Sequence, residues 1–243
     1  MIREFTTFVT SGIFIYNRDS VIHIWMSKIV LTKPVVIMLY GFPGAGKTYF
    51  ATELSKALSA AHVQGDRIRY ELFESAKYDK QENEVVTHLM EYMTEEFLQA
   101  GVSVIFDTNA HRLVQRRTIR DVARKTKAMP LMIWLQIDHD SAFARISKRD
   151  RRKNNDKYAQ PYSREGFDKF IGTMQNPRHE DYMVISGKHT FHTQLGAVMK
   201  KLFEMGVVTA ENYSSNVTKP ELVNLIPNHG GRVDMSRRNI VIR

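Results

Sequence analysis

From Pro34 onward the chain alternates between short apolar runs and longer segments in which apolar residues return every three or four positions. The first run, Val35-Val36-Ile37-Met38-Leu39-Tyr40, ends at Gly41. An unbroken apolar strand of this kind suits the centre of a parallel sheet covered on both faces. Phe50, Leu54 and Leu58 then mark one face of a helix over Thr48 to Ala61, able to pack on that sheet. His62 to Gly65 reads as a short second strand with Asp66 at its end. Val85, Val86, Leu89, Met90, Met93 and Phe97 outline a second helix, stopped by Gly101. Val102 to Phe106 reads as a third strand, capped by Asp107.

The alternation continues with a helix over Leu113 to Ala128 and a fourth strand over Leu131 to Ile137. Asp140 to Arg149 is a further helix, capped by Asp140 or Ser141. A polar, basic stretch from Asp150 to Gln160 breaks the pattern. It resumes with a helix over Ser163 to Gln175, a fifth strand over Tyr182 to Ser186 and a last helix over Thr193 to Met205. Strands alternating with helices predict an α/β fold, a three-layer α/β/α arrangement around a parallel five-stranded sheet with right-handed crossovers. The expected domain is 34–205, preceded by an extension, 1–33, and followed by a basic appendage, 206–243. Within the extension, Arg3, Glu4, Arg18 and Asp19 interrupt the apolar stretches, so no run reaches membrane-spanning length. Asn17-Arg18-Asp19 followed by His23 does not follow the order of a signal peptide. Met26 is an alternative initiator, with Ser27 to Lys33 as the lead into the first strand.

Composition adds two restrictions. A formal charge of +9 over 243 residues favours an anionic partner. Cysteine is absent, which excludes disulfides, thiolate metal sites and cysteine nucleophiles and fits a cytoplasmic protein.

The chemistry starts between the first strand and the first helix. Gly41, Phe42, Pro43, Gly44, Ala45, Gly46, Lys47 and Thr48 form G-x-x-x-x-G-K-[ST], in which backbone N–H groups turn inward around phosphate oxygens at a helix N-terminus. Lys47 is expected to reach the β- and γ-phosphates of ATP, and Thr48 to place its hydroxyl on Mg²⁺. The fold class is therefore that of the P-loop NTPases, with the basic stretch as a lid segment. Ligands of such sheets sit beyond the carboxyl ends of the strands, where Asp66 and Asp107 both fall. Either carboxylate can accept a proton from an acceptor hydroxyl or hold a magnesium-bound water. Which of the two is the base stays open on the residues alone.

Gly41 to Thr48, Asp66-Arg67-Ile68-Arg69, Asp107-Thr108-Asn109 and Arg145-Ile146-Ser147-Lys148-Arg149, in this order, resemble the polynucleotide 5′-kinase branch of P-loop kinases and the related zeta-toxin-like group. The resemblance spans about Pro34 to Phe203. It implies that Asp66 is the general base, that Arg69 binds an acceptor phosphate, and that Asp107 and Asn109 place the acceptor. It also implies that Arg149 is a lid arginine on the transferred phosphate, with Arg145 toward the nucleotide. The four-residue spacing predicts that Arg145 and Arg149 share a helix face, and arginine suits the role through its bidentate fork. Lys148, Arg151, Arg152 and Lys153 read as a solvated basic face. Pro177-Arg178-His179-Glu180, leading into Val184 to Gly187, resembles the segment that covers the adenine. The loop after Asn109 is longer than in the polynucleotide kinases, and no phosphatase signature accompanies the motifs.

Three classes of function follow. The leading one is an ATP-dependent kinase using ATP and Mg²⁺, whose anionic acceptor is single-stranded nucleic acid or a small phosphorylated metabolite. The others are an ATP-hydrolysing module that drives a partner, and a nucleic-acid-binding protein whose P-loop grips a phosphate end. Gly230 to Arg243 offers either a nucleic-acid contact or an edge strand. No membrane partner is expected.

Overall fold

The computed structural model describes residues 28–150 and 157–209. Met26, the basic residues Arg151, Arg152 and Lys153, and the C-terminal stretch from residue 210 lie outside them.

Five strands, β1 (Val35–Tyr40), β2 (Ala60–Gln64), β3 (Ser103–Asn109), β4 (Met129–Gln136) and β5 (Met183–Ser186), form one sheet in the order β2-β3-β1-β4-β5. All four neighbouring pairs are parallel. β1 lies at the centre with every residue buried, which explains its unbroken apolar run. The helices are α1 (Lys47–Ala57), α2 (Gly65–Leu72), α3 (Lys80–Gln99), α4 (Leu113–Lys125), α5 (His139–Ser147), α6 (Arg164–Gly172) and α7 (Phe191–Glu204).

The side chains of β1 divide between two cores, as strand alternation requires. Val35, Ile37 and Leu39 pack with Phe50 and Leu54 of α1 and Val198 and Leu202 of α7. Val36, Met38 and Tyr40 pack with Val86 and Met90 of α3 and Ile119 of α4. Helices therefore cover both faces of the sheet. The α/β/α P-loop NTPase arrangement expected from the alternation is the fold observed.

The packed domain begins earlier and ends later than the alternation suggests. Ile29 is buried and bridges to Leu58, its N–H donating to the Ala57 carbonyl at 2.9 Å. The Thr32 N–H donates to the Val207 carbonyl at 3.0 Å, and Val207 and Val208 are buried. These short flanks carry too few apolar residues to show a period, yet they close the edge of the first core.

Two elements differ from expectation in ways that bear on the site. The helix over α1 stops at Ala57, because β2 already begins at Ala60. Asp66 then falls in the first turn of α2, a short helix on which Arg69 is buried. The expected strand runs through Gly65 and no element is expected over the residues that follow, since eight mostly polar residues show little periodicity.

Candidate active site

Gly41 to Thr48 connects β1 to α1 and wraps its backbone around the α1 N-terminus. Gly44 has φ 84°, and a Cβ there would lie 2.2 Å from the carbonyl oxygen of Ala142 on α5. Only glycine lets the loop pass that close in a left-handed conformation. The Lys47 ammonium donates to the carbonyls of Gly41 and Phe42, both at 2.9 Å. Burial pulls its pKa down to about 8; Asp107 and Asp66 oppose the shift and Arg149 adds to it.

β3 supplies the first acid through an irregularity. β1 pairs Met38 with Phe106 and then Leu39 with Asn109, so Asp107 and Thr108 face no β1 residue in the register. Bulges of this kind re-aim a side chain beside a site. The buried Asp107 carboxylate accepts from the Thr48 hydroxyl at 3.3 Å through Oδ1, and its Oδ2 lies 2.9 Å from Nε2 of His62 on β2. His62 escaped the sequence reading because an isolated histidine in a short strand carries no spacing signal.

Asp66 stands in the first turn of α2. Burial raises its carboxyl pKa to about 6, Asp107 pushes the same way, and Arg69, Arg149 and Lys47 pull it down. The pair Lys47 and Asp66 thus flanks neutrality from opposite directions within one charge cluster.

Arg145 lies in the last turn of α5 and donates to the Gly187 carbonyl at 2.9 Å. Arg149 lies beyond the helix and donates to the Gln160 carbonyl at 3.4 Å. The two arginines therefore do not share a helix face. The N-cap is Asp138, accepting from the Ser141 N–H, rather than Asp140 or Ser141, and the helix ends at Ser147. Both arginines nevertheless line one cleft with the phosphate loop, of about 1530 Å³.

Arg69 faces this cleft in an unexpected state. It donates to Glu82 at 3.0 Å and to Asn83 at 2.5 Å, and it stacks over Tyr78 at 4.9 Å. Glu82 also accepts the N–H groups of Lys77 and Tyr78, both at 2.8 Å. The guanidinium charge is thereby matched inside the protein, while its Nε is buried with no hydrogen-bond partner among the described residues. Asn109 lines the cleft too, with both polar atoms of its side chain buried and unpaired among the described residues. Buried polar atoms without partners are uncommon, and a water, an ion or a ligand can complete their bonding.

The segment expected over the adenine divides. Gly187, Lys188 and His189 line the cleft, and a Cβ on Gly187 would lie 2.7 Å from the Ala45 carbonyl oxygen. Arg178 and Glu180 instead border a separate cavity of about 420 Å³. Glu180 accepts from Arg116 at 2.7 Å and also pairs with Arg120, and Arg116 donates to the Ala110 carbonyl at 2.9 Å. The sequence places Arg116 on the helix expected over Leu113 to Ala128, and nothing in its spacing marks it as a buried strut.

A family model described as AAA domain matches residues 36–177, more than half of the chain. The chain belongs to this AAA domain family. No curated protein matches the chain. Among solved structures, the chain is similar to the Mycobacterium tuberculosis APS kinase CysC in complex with AMPPNP and APS, at 17% identity and TM-score 0.53, covering 71% of this chain and 98% of that one. It is similar to Chaetomium thermophilum Kti12 in complex with ADP-AlF3, at 13% identity and TM-score 0.55, covering 72% and 99%. A gluconokinase from Sinorhizobium meliloti 1021 aligns at 14% identity and TM-score 0.52, covering 75% and 97%. At these identities the likeness is one of fold, that of the P-loop NTPases. Among the described residues no helix is long and apolar enough to cross a membrane.

Proposed function

We propose that the protein is an ATP-dependent kinase that transfers the γ-phosphoryl group to a hydroxyl, with a nucleic-acid 5′-hydroxyl or a small metabolite hydroxyl as acceptor. The observation that carries this reading is the single cleft lined by the phosphate loop, Asp66, Asp107 and Arg149, in which burial raises the Asp66 carboxyl to about 6. A base titrating near neutrality combines adequate ionisation at working pH with useful basicity. In the reaction Asp66 takes the hydroxyl proton, the acceptor oxygen bonds to the γ-phosphorus, and the bond to the β–γ bridging oxygen breaks to release ADP. Lys47 and Arg149 offset the charge that spreads over the transferring oxygens.

Magnesium fits the residues present. The Thr48 hydroxyl and the Asp107 carboxylate lie together at the phosphate loop, and no cluster of three His, Cys, Asp or Glu occurs among the described residues. One carboxylate and one hydroxyl, leaving further positions to water and phosphate oxygens, is the sparse oxygen set this ion takes. When bound it supplies neutralising charge on the β- and γ-phosphates. Asp107 thereby becomes the metal-side acid in this proposal rather than an acceptor contact, because both its oxygens are directed to Thr48 and His62.

The test is transfer of labelled γ-phosphate to 5′-hydroxyl oligonucleotides and to a panel of hydroxylated metabolites, with wild-type protein and Lys47→Ala. Transfer to an acceptor is expected, abolished by Lys47→Ala without loss of folding as judged by circular dichroism. ATP hydrolysis with no labelled acceptor, or full transfer by the variant, overturns the reading. An oligonucleotide acceptor carries a further signature. Each phosphate neutralised on a single strand contributes roughly −0.7 to the slope of log K against log[salt], which a small acceptor does not show.

A further inference from the structure

The cleft continues past Asp66 along a row of rings contributed by segments far apart in the chain. Tyr162 lies near enough to Asp66 for that carboxylate to reinforce the upward push that burial gives the phenol. The Phe170 ring on α6 is centred 5.8 Å from that of Tyr162 and 4.9 Å from that of His111. All three rings line the cleft, and none is fully buried. His111 Nδ1 lies 3.0 Å from the backbone carbonyl of Asn109, and burial favours the neutral imidazole. The wall therefore ends at Asn109, whose amide nitrogen and oxygen are both buried without partners among the described residues.

Resting on the kinase reading, we propose that Tyr162, Phe170 and His111 form a stacking subsite for a nucleobase of the acceptor and that the Asn109 amide reads the edge of that base. The acceptor is then a nucleoside unit, supplied either as a free nucleotide or as the end of a strand. Aromatic side chains hold unstacked bases through their π-faces, and an amide offers the donor and acceptor pair that a base edge matches. Arg69 strengthens the assignment: with its charge matched by Glu82, the inner pocket presents a hydrogen-bonding donor instead of an open cation. A ring with polar edges suits that lining better than a compact anion. Arg112 and Lys169, both exposed on the lining of the same cleft, are available for phosphates carried further out.

The test uses the full chain saturated with a non-hydrolysable ATP analogue. Calorimetric binding is measured for nucleosides, nucleoside monophosphates, 5′-hydroxyl oligonucleotides and ringless polyols, alongside steady-state transfer with ATP. Phe170→Leu keeps an apolar filler against His111 and Tyr162 but removes the π-face, and Phe170→Tyr restores it. Base stacking is worth about 1–3 kcal/mol by substitution, so Phe170→Leu is expected to weaken nucleoside binding by roughly five-fold to a hundred-fold. The KM for ATP and the melting temperature stay near wild type, and Phe170→Tyr recovers the binding. Asn109→Ala is expected to flatten the preference among bases. A salt-dependent gain of the oligonucleotide over the mononucleotide assigns a strand end as the source, and its absence assigns a free nucleotide. The subsite is overturned if a ringless acceptor binds as tightly as any nucleoside, or if Phe170→Leu lowers the melting temperature and leaves acceptor binding unchanged. Nucleoside binding that depends on Phe170 without phosphoryl transfer upholds the subsite and sinks the kinase reading. Transfer to a ringless acceptor that is indifferent to Phe170 does the reverse.

Discussion

The two sides of the cleft are built by different means. The phosphate side is contiguous backbone: eight successive residues, Gly41 to Thr48, fold a loop whose shape depends on glycine and on the start of α1. The side proposed for the acceptor is an assembly of side chains from α2, α3, the end of β3 and α6, held by Arg69–Glu82 and by the rings around Phe170. A backbone cradle recognises what all nucleoside triphosphates share. A side-chain wall can be retuned residue by residue, which is where acceptor choice belongs. On that division, damage at the junction of the two sides is expected to affect rate, and damage behind the acceptor side to affect stability.

The largest effect is expected at the junction. Arg149→Ala removes a charge from the transferring group and is expected to lower kcat by about 10³ to 10⁵, with the KM for ATP much less affected. Arg149→Lys keeps charge without the planar fork and remains impaired. Arg145→Ala, by contrast, lies on the nucleotide side against Gly187 and is expected to raise the KM for ATP more than it lowers kcat. Steady-state kinetics that gave the reverse pattern would exchange the two roles.

Next comes Asp66→Asn, expected to reduce kcat by about 10² to 10⁴ while ATP binding persists, the range for loss of a positioned base. The pH profile sharpens this. In the free enzyme kcat/KM for ATP is expected to rise through pH 6 as Asp66 loses its proton and to fall near pH 8 as Lys47 loses its own. In Asp66→Asn the acidic limb should vanish from the residual activity. An unchanged acidic limb would assign the base to another group.

Legibility in the sequence followed the same division. β1, the phosphate loop and the α/β alternation were readable because each signal is local: a run, a motif, a period of 3.6. Asp66, Asp107 and Asn109 were found by their place at strand ends and by resemblance, and the structure gathers all three on one cleft. The partners that define their states were not readable. Glu82 sits thirteen residues beyond Arg69 in a segment with no motif, and Glu180 sixty-four beyond Arg116 in a segment whose resemblance points to the adenine and not to an ion pair. The bulge at Asp107 and Thr108 is a backbone event decided by tertiary pairing, and the spacing of Arg145 and Arg149 carries no signal that α5 ends at Ser147. Spacing alone therefore placed Arg149 on a helix that had already ended.

Behind the acceptor side, Glu180→Gln is expected to destabilise the fold by about 3–5 kcal/mol, because it leaves the buried Arg116 charge short of its counter-ion. Urea unfolding measures this. A midpoint shift with kcat nearly unchanged would keep the pair a strut, while a large fall in kcat at full occupancy of the folded state would move it into the machinery.

The smallest effect tests the environment of Asp66 through stability alone. Its folded pKa, about 6, exceeds the ordinary carboxylate value, so between roughly pH 4 and 6 the folded state holds a proton that the unfolded chain has released. Unfolding free energy varies with pH as the protons bound by the unfolded state minus those bound by the folded state, here a negative difference. The contribution of Asp66 therefore falls as pH rises through that window and stays low above it. Asp66→Asn removes the titration, so the variant should gain relative to wild type as pH rises from 4 to 7, and its melting temperature at pH 7 should equal or exceed that of wild type. Thermal melts of the two proteins across the window, with nucleotide absent, isolate this one group. A variant that loses stability relative to wild type with rising pH would mean that Arg149, Arg69 and Lys47 outweigh burial at Asp66, and a carboxylate held ionised in that way would be too weak a base for the role proposed.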